Sequence, residues 1–253
     1  MLKNKAWILC IIPFILAGCG GSTGSRDSGN ASTAGQAQGV YSGSSSDGSV
    51  FDAIVLPNDT FYAIYGTVIG NVFYIGGTMS GQGTSSNGAY TASVTDFYYT
   101  GAVYQGSVTA SYVPGSSLKG TLSVNGTSIS FTGSSLPASS FNYSTSASLS
   151  AISGDWTGTL LNGATATVTI NGGGSFSGSD SWGCLLSGMI TPDSSNRNFF
   201  NLSLRFGGSP CLLPNQTASG VAVDYLLSDG MTRQLLASGA VGTSAGTVFA
   251  AQR

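Results

Sequence analysis

The sequence predicts an all-β protein: two tandem small antiparallel β-barrel or sandwich domains after a flexible N-terminal tether. Three observations carry this. β-Branched and aromatic residues recur in short runs, separated by Gly, Ser, Asn and Asp, which is the composition of strands and tight turns. Within the runs apolar side chains alternate with small polar ones, as in Phe51, Ala53 and Val55 or Val108, Ala110 and Tyr112. That period puts one face of each strand against a core and leaves the other wet. Finally, the pattern Gly-x-aromatic-hydroxyl-Gly stands at Gly39-Val40-Tyr41-Ser42-Gly43 and again at Gly154-Asp155-Trp156-Thr157-Gly158. Asp47-Gly48 is echoed by Asn162-Gly163, so the strand-rich part reads as two copies of one unit.

The chain opens with Lys3 and Lys5, followed by an apolar run over residues 6–16. A short basic stretch, an apolar core of this length and small residues at the cut read as a secretory signal peptide, residues 1–18, and the run is shorter than the roughly 20 residues a spanning helix needs. Its end, Leu16-Ala17-Gly18-Cys19, resembles the lipobox of bacterial lipoproteins. The resemblance implies that Cys19 carries lipid and becomes the N-terminus. Gly20 and Gly21 follow rather than an aspartate, which by the same resemblance implies the outer membrane. Two or more acyl chains anchor stably, since each buried methylene contributes about 0.8 kcal/mol.

Residues 19–38 are, apart from Cys19, Arg26 and Asp27, all Gly, Ser, Thr, Ala, Asn and Gln, so they read as a tether. The first β-domain is expected over residues 39–132, with strands near 39–43, 50–56, 61–65, 72–79, 88–96, 103–113, 117–124 and 127–131. A Ser/Ala-rich linker with Pro137 covers residues 133–151. The second β-domain takes residues 152–253, with strands near 156–161, 164–170, 175–180, 183–191, 199–206, 219–227, 232–238 and 247–251. Eight strands per half suit either a sandwich or a closed barrel, and up-and-down hairpins that remove both edges favour the barrel.

Charge is scarce. Charged residues make up 7% of the chain, against about 25% in ordinary soluble domains. Histidine is absent, no glutamate occurs, and ten aspartates outnumber eight Lys and Arg. No basic patch for nucleic acid is expected. Without histidine there is neither a Ser-His-Asp triad nor a histidine metal site, so no enzyme activity, catalytic residue, metal or cofactor is expected. Asp52, Asp59, Asp193 and Asp229 stand beside turn residues, where aspartate commonly serves the backbone. Gly172-Gly173-Gly174 lacks P-loop spacing and reads as a strand connection.

Beyond Cys10 and Cys19, Cys184 and Cys211 remain, an even pair in an oxidising compartment. A hairpin turning near residues 192–198 places Cys184 opposite a residue near 206, and the Gly207-Gly208 kink brings Cys211 alongside. A disulfide is expected there, the rival being a metal or redox pair. Aromatic residues crowd the first half: Phe61, Tyr62, Tyr65, Phe73, Tyr74, Phe97, Tyr98, Tyr99 and Tyr104. Tyr62, Tyr74 or Tyr98 could face outward and bind protein or glycan, or the set could serve cross-strand packing.

The layout resembles uncharacterised proteobacterial lipoproteins with a low-complexity tether and two β-rich repeats. Residues 39–43, residues 146–158 and the ending Gly246-Thr247-Val248-Phe249 carry that likeness. More distantly, a tether with paired barrels looks like surface lipoproteins of the transferrin-binding and factor-H-binding kind. The expectation is a monomeric, non-enzymatic outer-membrane lipoprotein binding a macromolecular partner, facing the surface or the periplasm; the second likeness is architectural and carries over no binding residue. The alternatives are a carrier of a small apolar ligand and a structural protein of the cell envelope.

Overall fold

A computed structural model describes residues 36–70 and 72–253. The expected signal peptide, Cys19 and most of the expected tether lie outside the described residues. The first eight strands are β1 (Gly39–Ser45), β2 (Val50–Val55), β3 (Thr60–Ile69), β4 (Val72–Ser86), β5 (Ala89–Tyr98), β6 (Val103–Val113), β7 (Ser117–Val124) and β8 (Thr127–Ser135). They pair antiparallel in sequence order, and β1 meets β8 to close a barrel. After the single turn α1 (Leu149–Ile152) come β9 (Gly154–Leu160), β10 (Thr165–Ile170), β11 (Ser175–Asp180) and β12 (Leu185–Pro192). The chain ends with β13 (Phe200–Phe206), β14 (Thr217–Leu226), β15 (Arg233–Val241) and β16 (Ala245–Gln252). These form a second closed antiparallel barrel, sealed where β16 meets β9. The fold is therefore all-β with two eight-stranded barrels, and the choice between barrel and sandwich falls to the barrel.

Local chemistry explains the elements. In β13 and β10 buried and exposed residues alternate without a break, with Phe200, Leu202, Leu204 and Phe206 inward in β13. Asn87-Gly88 and Asn125-Gly126 both carry positive φ at each residue, the conformation that two-residue hairpin turns require. The strands β3 and β4 run longer than the apolar runs within them. β4 continues through Ser80–Ser86, a Gly/Ser/Thr stretch that pairing with both neighbours holds extended.

The two barrels share a detail at their first strands. Tyr41 of β1 donates its hydroxyl to the Ala37 carbonyl at 2.8 Å, four residues back. Trp156 of β9 donates Nε1 to the Ile152 carbonyl at 2.7 Å, again four residues back. All four residues are buried. Each ring caps one end of its barrel and pins the incoming chain.

The barrels pack through their outer faces. Val40 and Ile54 of the first meet Val221, Val223 and Tyr225 of the second in one apolar cluster, together with Phe141 from the connecting segment. Thr78 Oγ1 and Ser238 Oγ are 2.7 Å apart across this contact, and both are buried. At Gly246 a Cβ would come within 2.6 Å of the Phe97 ring, so the absence of a side chain admits that ring. The connecting chain is packed as well: Tyr143 stacks on Phe199 with ring centroids 6.5 Å apart and donates to the Val55 carbonyl at 3.2 Å.

Candidate functional site

The inward-facing residues of the first barrel do not fill it. On β5 the inward parity reads Tyr90, Ala92, Val94, Asp96, Tyr98, and on β3 it reads Phe61, Ala63, Tyr65. Small residues at Ala53 and Ala63, facing the flexible Met79, leave a lumen of about 100 Å³. Its floor is closed by Phe61 and Tyr90, whose rings meet edge to face at 6.5 Å, and Tyr90 donates to the Asp59 carbonyl at 2.8 Å. The lumen opens at the other end, where Ser45, Asp47 and Ser49 of the turn joining β1 to β2 line it. Phe51 and Phe131 meet at 5.9 Å on one wall, and Tyr65, Tyr98 and Tyr104 form an edge-to-face series on another.

One carboxylate interrupts this apolar wall. Asp96 is fully buried, one inward position below Tyr98. Its Oδ1 accepts the Tyr65 hydroxyl at 2.8 Å, while Oδ2 is buried without a hydrogen-bond partner among the described residues. Burial pushes the Asp96 carboxyl up to about 6, and the Tyr65 hydrogen bond only partly counters it. Burial together with the Asp96 charge pushes the Tyr65 hydroxyl well above its usual range, so it remains a donor. A second carboxylate, Asp47, stands at the mouth. Its partial burial works to raise it, but donation from Ser45 and Ser49 holds it below the ordinary range. No lysine or arginine lines the lumen. The site can accept a positive charge and disfavours a negative one.

The second barrel differs. Leu160, Val168, Phe176, Leu186, Leu204 and Phe249 leave a void of only about 50 Å³, with no charged residue on it. Between the barrels, a cleft of about 440 Å³ runs from Tyr98 and Tyr99 to Leu161, Leu212 and Leu213.

Above the mouth of the first barrel the hairpin of β3 and β4 projects as a ribbon. β2 pairs with β3 only as far as Gly66, and β5 pairs with β4 only from Gly77. Thr67, Val68 and Ile69 therefore pair solely with Tyr74, Phe73 and Val72. A register shift between Tyr65 and Gly66 marks where the ribbon leaves the barrel. Val68, Ile69, Val72 and Tyr74 are each more than half exposed.

No protein-family model matches the chain, and no curated protein is similar to it in sequence. Among solved structures, it is similar at 11% identity and a TM-score of 0.27 to isotype 1 transferrin-binding protein B from serogroup B Neisseria meningitidis, over 82% of this chain and 64% of that one. The chain thus spans just under two thirds of that protein's length. It is also similar, at 14% identity and a TM-score of 0.25, to a protein of unknown function from the DUF3598 family of Nostoc punctiforme PCC 73102, covering 86% of this chain and 96% of that one.

The residues singled out in the sequence are distributed as follows. Cys184 and Cys211 form a disulfide with Cα atoms 4.5 Å apart, tying the loop after β13 to the start of β12. Cys19 lies outside the described residues. Of the three tyrosines considered for an outward row, only Tyr74 is exposed. Tyr62 packs against the second barrel, and Tyr98 faces the lumen because it shares the inward parity of β5. Asp193 and Asp229 accept the backbone N–H groups of Ser195 and Met231, two residues on, as turn aspartates do, whereas Asp59 accepts the Ser85 N–H of β4, 26 residues away. Asp52 is not at a turn: it sits within β2 and accepts the Tyr225 hydroxyl across the barrel contact at 3.2 Å. Asp96 escaped the sequence reading, although an aspartate on the apolar parity Tyr90, Ala92, Val94 was the signal that could have found it.

Proposed function

We propose that this chain is a non-enzymatic outer-membrane lipoprotein, anchored through lipid on Cys19, that engages a protein partner with the ribbon of β3 and β4. The lipobox-like Leu16-Ala17-Gly18-Cys19 supports the anchor. The exposed ribbon carries the partner reading: Ile69, Val72 and Tyr74 share one face of a segment that neither neighbouring strand covers, and Val68 stands exposed on the other face. A cluster of exposed apolar side chains is the kind of surface through which proteins engage partners. The ribbon also offers free strand edges, to which an extended segment of another protein can add.

The test is a photo-crosslinking residue at position 74, compared in intact cells with one at the exposed position 231 of the second barrel. The reading expects one discrete protein adduct at position 74, absent at 231 and lost with Ile69→Asp. Identical adducts at both positions, or adducts only with lipid, would overturn it. A second reading, carriage of a small ligand, is supported by the open, aromatic-lined lumen of the first barrel.

A further inference from the structure

We infer that the lumen of the first barrel is a binding site for a slim organic cation, an alkylammonium held tail-inward with its charged head on Asp96. This rests on the carrier reading and names the chemistry of its ligand. The lumen changes character with depth. Its lower part, from Ala63 and Met79 down to Phe61 and Tyr90, is apolar. Asp96, which accepts the Tyr65 hydroxyl, stands level with Met79, its direct partner across β4 and β5, and Tyr98 and Asp47 lie toward the mouth. An amphiphile entering by the mouth would bury its tail and stop with its head beside the carboxylate.

The charge of the head follows from Asp96. A fully buried carboxylate with one oxygen satisfied by Tyr65 and the other unpartnered is costly unless a donor reaches the second oxygen. An ammonium supplies that donor and the opposite charge together. The rings of Tyr65 and Tyr98, which meet at 6.0 Å, present aromatic surface beside it, a setting that favours cations. Asp47 adds a second negative charge at the entrance, and no lining residue is positive. The slimness of the ligand follows from volume. About 100 Å³ is less than the roughly 150 Å³ of an apolar cavity that takes benzene, so a single chain fits better than fused rings.

The methionines allow a direct test. Met79 lines the lumen, whereas Met189 and Met231 are exposed on the second barrel. The full chain, carrying Cys19→Ser so that no acyl group competes, would be labelled at the methionine methyls and titrated by NMR with n-hexylammonium, hexan-1-ol and hexanoate. Hexylammonium is expected to shift the Met79 methyl saturably and leave Met231 in place, binding at least tenfold more tightly than hexanol, with no binding of hexanoate. Asp96→Asn is expected to bring hexylammonium down to the affinity of hexanol. Ala63→Phe, which fills the lumen and keeps the carboxylate, is expected to abolish both. Equal binding of hexanol and hexylammonium by the unmodified lumen would overturn the cation assignment and leave the carrier reading standing. No saturable shift of Met79 with any probe would overturn both. Hexylammonium binding that survives Asp96→Asn would mark adsorption to an acidic surface and would also overturn the assignment.

Discussion

Tyr65 donates its hydroxyl to Asp96 at 2.8 Å inside the first barrel, and among the described residues that is the one hydrogen bond given to a fully buried carboxylate. The consequence is a stability that depends on pH in a stated direction. Burial raises the Asp96 carboxyl from 3.8 to about 6, so the folded state holds its proton where the unfolded chain has lost it. The contribution of Asp96 to stability is therefore full below about pH 4 and is lost as the pH rises through about 6. Asp96→Asn keeps the acceptor for Tyr65 and removes the charge. Above pH 6.5 the variant is expected to be more stable than the parent by up to about 3 kcal/mol, and below pH 4 the two should converge. Urea midpoints at pH 4, 5, 6 and 7.5 check this, and parallel curves would refute it.

The Cys184–Cys211 disulfide closes a loop with a sequence separation of 27 on the rim of the second barrel. Cross-linking a loop of this length restricts the unfolded chain by about 3 kcal/mol. Cys184→Ala with Cys211→Ala is expected to lower the melting temperature by several degrees, and reduction of the parent should have the same effect. Hydrogen exchange should rise first in β12 and in the loop between β13 and β14, where Cys211 and Leu213 pack on the second core. A variant melting with the parent would show that the bond adds no stability.

Much of the architecture was legible because its determinants are local. Asn87-Gly88 and Asn125-Gly126 announce hairpins by the backbone they permit, and the alternation of Phe200, Leu202, Leu204 and Phe206 announces a strand with one buried face. Even the distant disulfide followed from hairpin register. What stayed hidden is set by neighbours far along the chain. Phe97 has the outward parity of β5 yet is buried, because the second barrel covers it at Gly246. Tyr98 reads as an outward aromatic only if its strand neighbours are ignored, and the ribbon's exposure depends on where β2 and β5 stop. Asp96 was missed for a related reason: a lone aspartate in a polar sequence draws no notice until the parity of its strand is fixed.

The contact between barrels gives a third prediction. Phe97 rests where Gly246 has no side chain, and the buried pair Thr78 and Ser238 lies in the same contact. Gly246→Val would drive its side chain into the ring, and because both barrels are closed, the strain is relieved by parting them rather than by opening either. Small-angle scattering should show a larger radius of gyration, and one unfolding transition should separate into two. Thr78→Val, which leaves Ser238 Oγ buried without this partner, should act in the same direction with a cost of about 1–3 kcal/mol. A single transition in Gly246→Val with unchanged dimensions would mean that the contact tolerates the side chain.

The paired hydrogen bonds of Tyr41 and Trp156 permit a fourth. Each ring is buried beneath the end of its barrel and holds a carbonyl four residues upstream, Ala37 or Ile152. Tyr41→Phe and Trp156→Phe both leave that buried carbonyl unmatched, but their surroundings differ. Trp156 also lies under the Arg253 guanidinium at 4.1 Å, and Arg253 donates to the carbonyls of Ser153 and Ala151 at 2.7 and 2.8 Å. Tyr41→Phe keeps the ring and loses only the hydroxyl, for about 1–2 kcal/mol. Trp156→Phe loses the donor, part of the ring and much of the cation's seat, so about 3 kcal/mol is expected. Arg253→Ala made alone should recover part of that difference, and in combination with Trp156→Phe it should cost less than in the parent. Chemical denaturation of the parent, Trp156→Phe, Arg253→Ala and the double variant closes the cycle, and strict additivity would show that the arginine and the indole act independently.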